Sequence, residues 1–139
     1  MIDNNCAYCV EGDLVAKFGI KICELETSKV YLFKEQSHPG RCIVAHKKHV
    51  GDMNELTAEE RAAYFEDVAR VARAIMKAFN PDKVNYGAYG DTGHHLHFHL
   101  CPKYKDEYEW GGVFLMNPDK KYLSDAEYAE MIEKIKSHL

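Results

Sequence analysis

The sequence lacks the features that mark membrane and secreted proteins. No apolar run approaches the roughly 18 residues that a membrane-spanning helix needs, so no membrane partner is expected. The opening MIDNNCAYC has neither the basic region nor the apolar stretch of a secretion signal, which favours a cytoplasmic location. The chain also lacks repeats, low-complexity segments and linkers, and its 139 residues predict a single domain over 1–139.

An excess of positive charge and a disulfide pattern are absent as well. The formal net charge is −4 and no basic stripe is present, so we expect no nucleic-acid duplex as a partner. Five cysteines are an odd number, and in a reducing compartment they do not indicate a disulfide framework. Cys23, Cys42 and Cys101 lie among apolar neighbours and are predicted to pack in the core. Cys6 and Cys9 differ, because they form an isolated Cys-x-x-Cys.

What the chain does contain is a pattern of strands and two capped helices. Thr57 and Glu60 have capping-box spacing and apolar residues follow at steps of three and four, which predicts a helix over 57–79. The other predicted elements are two strands within 14–34, strands at 42–45, 83–89 and 95–101, and a closing helix capped by Ser124 and Glu127. This order predicts an α+β domain with a mainly antiparallel sheet.

The most unusual segment is GHHLHFHLCPK, residues 93–103. His95, His97 and His99 alternate with apolar residues, so in a strand they share one face at spacings of about 6–7 Å. Three interpretations are open for these histidines. They could form a solvated polar face, or a three-histidine zinc or iron centre. They could also perform phosphate chemistry, in which a neutral imidazole attacks phosphorus and its neighbours donate to the oxygens.

Neighbouring motifs make the phosphate interpretation specific. HLHFHLC resembles the signature of the histidine-triad (HIT) family, His-φ-His-φ-His-φ-φ with φ apolar, and it matches at every position. VNYGAYGDTG resembles the family's asparagine strand and glycine turn, and PGRCIVAHKKHV resembles its Pro-Gly-x-x-φ-φ-x-x-Lys-x-His-φ segment. CAYC resembles the Cys-x-x-Cys of zinc-containing members, and PKYKDEYEW is similar to a tail of a bacterial, dinucleoside polyphosphate hydrolase-like branch.

The resemblance implies both a fold and a reaction. HIT-like domains have a five-stranded, mainly antiparallel sheet with one long and one C-terminal helix, and they usually form homodimers through the long helix and an adjacent strand. Members cleave nucleoside phosphoramidates or dinucleoside polyphosphates at the α-phosphorus through a nucleotidyl-histidine intermediate. A purine nucleotide or dinucleoside polyphosphate is therefore the expected ligand. The implied catalytic residues are His97 as the nucleophile, His99 as a donor to the phosphate, and His95 beside them.

The resemblance also implies a set of nucleotide-binding residues, to which His99 belongs. Thr92 matches a family Ser/Thr whose hydroxyl and backbone N–H contact the phosphate, and Asn85 matches the family asparagine. Glu35 lies near the position that holds the ribose hydroxyls. Asp91 is a departure, because the family often has Gln or Asn there. A carboxylate at this position repels phosphate unless it faces an imidazole or a ribose hydroxyl.

The Cys-x-x-Cys raises the question of a metal. By itself it supplies two of the four ligands that zinc prefers, and a redox pair is the alternative. In the zinc-containing members, the other ligands are the histidine of the Lys-x-His segment and the first histidine of the triad. The implied set is Cys6, Cys9, His49 and His95, which is closed, so the zinc would be structural. No metal is expected to be required at the phosphate, because three imidazoles and backbone amides can neutralise it.

Three other functions stay open at this level. The leaving group could differ, for example a sugar or a sulfate on AMP. The protein could be a nucleotide-binding sensor with the same fold and little turnover, which the carboxylate of Asp91 keeps open. It could also be a metal-dependent oxygenase or hydrolase that uses the histidines as open-site ligands, and stripping the metal would then abolish its chemistry at once.

Overall fold

The computed structural model describes residues 4–139 and contains a five-stranded antiparallel sheet. The strands are β1 (Gly19–Glu24), β2 (Ser28–Phe33), β3 (Cys42–His46), β4 (Lys83–Gly87) and β5 (His97–Lys103). Their order across the sheet is β1-β2-β3-β5-β4, so β5 lies inside the sheet, between β3 and β4. The predicted α+β class with a five-stranded antiparallel sheet is confirmed.

Four helices and a short 3-10 turn at Met53–Glu55 accompany the sheet in the described part of the chain. The helices are α1 (Ala7–Val10), α2 (Gly12–Ala16), α3 (Ala58–Phe79) and α4 (Asp125–Lys136). Thr57 and Ser124 each accept from a backbone N–H three residues on, in the predicted capping boxes. Asn80 ends α3 in the left-handed conformation at φ 50. None of the helices at positions 4–139 is long and apolar enough to cross a membrane.

The two faces of the sheet bury different kinds of side chain. One face packs against α3 and α4 in the main apolar core, with Val44, Leu100, Val71 and Ile75 among its members. The other face carries a smaller apolar cluster, in which Tyr8 and Val15 from α1 and α2 cover Tyr31, Ile43 and Ala45 of the sheet.

The histidines of β5 lie on this second face. His97 pairs with Ala45 and His99 with Ile43 across the ladder, and paired residues project on the same side of a sheet. Leu96 and Leu100, which alternate with the histidines, are buried in the main core on the other side. The predicted division of this segment into an imidazole face and an apolar face is confirmed.

The structure differs from the predicted elements at three places. Residues 12–16 form α2 and the strand begins only at Gly19, because two short helical turns pack Tyr8 and Val15 onto the sheet. The strand predicted over 83–89 ends at Gly87. The strand predicted over 95–101 runs from His97 to Lys103, because the His95 N–H donates to the Gly93 carbonyl at 2.7 Å in a tight turn outside the ladder.

Candidate active site and metal centre

A cleft of about 830 Å³ opens over the second face of the sheet, within the size range of small-molecule sites. His97 and His99 form its floor, and the glycine turn at 90–93 forms one wall. Residues 5–8 and residues 114–117 form the others. Tyr8, Phe18 and Phe33 add aromatic surface. The cleft therefore combines an apolar lining with two imidazoles at its base.

His97 is held as a neutral imidazole. Its Nδ1 lies 2.6 Å from the backbone oxygen of His95, and because a carbonyl oxygen can only accept, Nδ1 carries the proton. Burial lowers the pKa of His97, and only 8% of the residue is exposed. The other ring nitrogen, Nε2, is therefore unprotonated and keeps its lone pair. An imidazole in this state is suited to nucleophilic attack.

His99 is also neutral, with the opposite tautomer. Arg41 donates from Nη2 to Nδ1 of His99 over 3.0 Å, so Nδ1 is the acceptor and Nε2 carries the proton. Burial, together with the positive charge of Arg41 and the neighbouring His97, lowers the pKa of His99 to about 2. His99 is therefore a hydrogen-bond donor through Nε2–H and does not act as a cationic acid.

Beside this floor lies a compact cluster of two thiols and two imidazoles. Its ligand atoms are Cys6 Sγ, Cys9 Sγ, His49 Nδ1 and His95 Nδ1, which all lie within 4.8 Å of one another. His95 Nδ1 is 3.3 Å from Cys6 Sγ and 3.1 Å from His49 Nδ1. Cys9 Sγ is 3.3 Å from His49 Nδ1 and 3.6 Å from His95 Nδ1.

These four residues fit a zinc ion. Tetrahedral zinc, with bonds of about 2.0–2.3 Å, places its N and S ligands roughly 3.3–3.8 Å apart, close to the distances in this cluster. Cys6 immediately precedes α1 and Cys9 lies within it, so one helical turn brings the two thiols to the same side. The Nε2–H of His95 donates to the His46 carbonyl at 2.6 Å, as metal-binding imidazoles usually do.

The glycine turn is placed beside the floor of the cleft. Asp91 and Thr92 are exposed and line the cleft. Gly90 has φ 122, a conformation that favours glycine. A Cβ added at Gly93 would lie 3.9 Å from Cε1 of His97, so the turn passes close to the imidazole. The structure therefore brings Asp91 and Thr92 together with the three histidines of the motif.

Two of the predicted nucleotide-binding residues are not brought into the cleft. Asn85 pairs with Cys101, one step along the same face from the pair that Gly87 makes with His99, and it does not line the cleft. Glu35 is 2% exposed, and its carboxylate accepts from the Ser37 N–H and hydroxyl and from the backbone N–H groups of residues 120 and 121. These four donors occupy both oxygens of Glu35.

Sequence reasoning missed two features of the site. Arg41, which contacts His99, lies in the segment PGRCIVAHKKHV, but the motif there predicts no role for it. Residues 114–117 form one wall of the cleft although the tail gave little functional signal. Pro39-Gly40 followed by a cation at the start of a buried strand was the available signal for Arg41, because buried arginines are rare.

Comparison with known sequences identifies relatives across most of the chain. The HIT domain family matches residues 19–106. The adenosine 5'-monophosphoramidase hnt1 of Schizosaccharomyces pombe is 29% identical over 116 residues, which cover 77% of this chain and 80% of that protein. The bis(5'-adenosyl)-triphosphatase of Dictyostelium discoideum is 28% identical over 106 residues, which cover 73% of this chain and 70% of that protein.

Solved structures share the fold at lower sequence identity. A histidine triad protein from Sinorhizobium meliloti superimposes with a TM-score of 0.84 and 22% identity, over 92% of this chain and 95% of the other. A zinc-bound histidine triad family protein from Mycobacterium smegmatis superimposes with a TM-score of 0.67 and 21% identity, over 95% and 94% of the two chains.

Proposed function

Because this chain belongs to the HIT family, we propose that it is a nucleotidyl hydrolase or transferase that acts at the α-phosphorus of nucleoside phosphoramidates or dinucleoside polyphosphates. Two relatives support this proposal, since one is named for adenosine 5'-monophosphoramidase and the other for bis(5'-adenosyl)-triphosphatase activity. The resemblance to the dinucleoside polyphosphate hydrolase-like branch adds the second substrate class. The predicted cytoplasmic location and the single domain over 1–139 stay predictions.

The observation that carries the proposal is the hydrogen bond between Nδ1 of His97 and the His95 carbonyl, at 2.6 Å. The Nδ1–H of His97 is engaged by this carbonyl, and its Nε2 is the unprotonated nitrogen in a cleft lined by aromatic residues. This arrangement supplies a nucleophile at neutral pH without a separate base. A simple polar histidine face would not require a buried ring with one nitrogen held by the backbone.

In the first step, Nε2 of His97 attacks the α-phosphorus and the bond from phosphorus to the leaving group breaks. The leaving amine or nucleotide departs with the bonding electron pair and takes up a proton from solvent, which the second step returns. His99 Nε2–H and the hydroxyl and N–H of Thr92 donate to the non-bridging oxygens, where negative charge accumulates. The product is a nucleotidyl group on His97.

In the second step, water attacks the same phosphorus and the P–N bond to His97 breaks. The nucleoside monophosphate leaves, His97 regains its lone pair on Nε2, and the water proton is released to solvent. If an acceptor other than water attacks, the same intermediate gives a transferase. Splitting one displacement into two lowers each barrier.

Zinc is proposed for the cluster of Cys6, Cys9, His49 and His95, supported by its ligand distances and by the zinc-bound structural neighbour. Four protein ligands leave no open position, so the ion would stabilise the fold and take no part in the steps above. These residues would hold α1 against the turn that precedes β5.

The direct experiment is incubation of the purified protein with adenosine phosphoramidate and with diadenosine polyphosphates, in the presence of EDTA, followed by detection of AMP. We expect AMP release from at least one substrate class, because no step uses a free divalent ion. Tight binding of the nucleotide without turnover would contradict the proposal and favour a sensor. Loss of all activity on brief EDTA treatment would favour metal-dependent chemistry.

We also propose that the protein is a C2 homodimer. β4 is an edge strand, and Tyr86 and Tyr89 beside it are 52% and 55% exposed. On α3, Phe65 and Met76 are 38% and 41% exposed, whereas most of its apolar stripe is buried in the protein's own core. A sedimentation experiment that finds a 16.0 kDa monomer at micromolar concentration would contradict this assembly.

A further inference from the structure

Arg41 is a buried cation with an unusual set of partners. None of its side chain is exposed, and its guanidinium carbon lies 4.2 Å from the ring centre of Phe33 and 4.9 Å from that of Phe114. Among residues 4–139, no carboxylate forms an ion pair with it, and its Nε is buried without a hydrogen-bond partner. Burying a charge without an ion pair costs free energy, so packing alone does not account for an arginine at this position.

The N–H donors of Arg41 form hydrogen bonds with two regions of the site. Nη2 donates to His99 Nδ1 at 3.0 Å and to the Met116 carbonyl at 2.8 Å. Nη1 donates to the Leu115 carbonyl at 3.1 Å. Leu115 and Met116 belong to the wall of the cleft and His99 to its floor. A single side chain therefore joins the imidazole to the wall that faces it.

A second buried cation shows what a purely structural role looks like. Lys103 is 2% exposed, and its Nζ donates to the carbonyls of Glu109 and Gly112 at 2.7 Å each. Like Arg41, it ties the segment after β5 to the sheet. Unlike Arg41, Lys103 does not hydrogen-bond to any histidine of the motif in the described chain.

We infer that Arg41 is a positioning residue that holds His99 in the tautomer with the proton on Nε2. A guanidinium has no lone pair to accept with, so the nitrogen facing it must be the acceptor. The Nε2–H on the far side of the ring is then left for a ligand oxygen in the cleft that His99 lines. The use of this donor on a phosphoryl oxygen rests on the proposed function, whereas the tautomer itself does not.

The tautomer is measured directly by nitrogen NMR of the histidine side chains in the full-length, metal-loaded protein at neutral pH. We expect His99 to show an unprotonated Nδ1 and a protonated Nε2. An imidazolium, or a proton on Nδ1, would overturn the inference. This measurement needs no substrate, so its outcome is independent of whether the protein hydrolyses nucleotides.

Substitutions then separate positioning from packing. Arg41→Met keeps apolar bulk between the two phenyl rings and removes the donor and the charge, so His99 should lose its single tautomer and kcat should fall about 10- to 100-fold. Arg41→Gln retains an NH2 group that can donate to His99 Nδ1, and should recover the tautomer and part of kcat. Lys103→Met is the matched control, because it removes a buried cation from the same region and should leave the His99 tautomer unchanged.

The outcomes are distinguishable. If Arg41→Met keeps the Nε2–H tautomer and kcat within threefold of the wild type, the inference is wrong. If Arg41→Met does not fold, the wild-type tautomer and the Arg41→Gln variant decide in its place. If the tautomer is as expected and no substrate gives AMP, the proposed function fails while the positioning by Arg41 stands.

Discussion

The cluster of Cys6, Cys9, His49 and His95 and the floor of the cleft each contain a histidine of the same motif. These two histidines, His95 and His97, lie two positions apart and have opposite tautomers. His95 donates through Nε2 to the His46 carbonyl and turns Nδ1 toward two thiols. His97 donates through Nδ1 to the His95 carbonyl and keeps Nε2 unprotonated in the cleft. In each ring, the nitrogen that donates to the carbonyl carries the proton, so the other nitrogen keeps its lone pair.

Neighbouring histidines of one short motif therefore face two different environments, the cluster and the cleft. The backbone of His95 supplies the oxygen that orients His97, so a residue held by the cluster also sets the tautomer of its neighbour. The cluster should therefore govern whether this region folds, and the cleft floor should govern what it does.

The largest effect is expected at the cleft floor. His97→Ala removes the nucleophile and should lower turnover by at least roughly 10³-fold, because the interaction is made mainly in the transition state. Nucleotide binding should stay within roughly tenfold, about 1.4 kcal/mol. AMP release and calorimetric titration measure the two quantities. His138→Ala, at an exposed histidine outside the cleft lining, is the control and should change turnover at most severalfold.

The nucleotidyl intermediate on His97 can also be detected directly. Quenching wild-type protein early in the reaction should trap an acid-labile, base-stable nucleotidyl group, and mass spectrometry should place it on His97. An adduct on another residue, or a His97→Ala variant that keeps most of its activity, contradicts the mechanism.

Substitutions in the cluster should lower stability more than activity. Cys6→Ser should lower the melting temperature by roughly 10 °C, because the zinc binding energy contributes to folding, while the specific activity of the remaining folded protein falls less. Metal analysis of freshly purified protein should find one zinc per chain. Cys23→Ser, at a half-buried cysteine outside the cluster, should retain the zinc. Absence of zinc together with freely reactive Cys6 and Cys9 would refute the site.

Glu35 was predicted to lie near the ribose hydroxyls, but its hydrogen bonds suggest that it stabilises the fold instead. Burial raises the pKa of its carboxyl, but the donors at Ser37 and residues 120 and 121 outweigh that effect and lower it below the ordinary value. The ionised group therefore stabilises the fold at neutral pH, and this contribution is lost as the pH falls through the lowered pKa. Glu35→Gln should lower the melting temperature by roughly 5 °C.

The same Glu35→Gln variant should leave the KM for nucleotide within twofold, because the four donors already occupy both carboxylate oxygens. Glu133→Gln, at an exposed carboxylate on α4, is the control for loss of charge. A tenfold rise in KM without loss of stability would instead support a contact of Glu35 with the ribose.

The smallest effect is expected at the glycine turn. Asp91 is exposed at the edge of the cleft, so Asp91→Asn should lower the KM for an anionic nucleotide by about two- to fivefold at low salt. The gain should shrink as ionic strength rises. Asp13→Asn removes an equal charge outside the cleft lining and should change KM little. A rise in KM for Asp91→Asn would show that the carboxylate contacts the ligand favourably.

Local patterns in the sequence were sufficient for much of the fold. The capping pairs at Thr57 and Ser124 set the starts of the two longer helices, because these signals act within one turn. The alternation through β5 was sufficient to separate an imidazole face from an apolar face, since the period of a strand is two. The short helices α1 and α2 were missed because one turn carries no periodicity and forms only by packing on the sheet.

The residue types at the site can be read directly from the chain: three alternating histidines, a Cys-x-x-Cys and a glycine turn. The tertiary structure supplies the partners of these residues from distant parts of the chain. It brought Cys6 and His95 within 3.3 Å across 89 positions of chain, and it placed Arg41 on the ring of His99. It also turned Glu35 toward residues 120 and 121. The tautomer of His99 and the partners of Glu35 depend on contacts between distant segments, and such contacts leave no local pattern in a sequence.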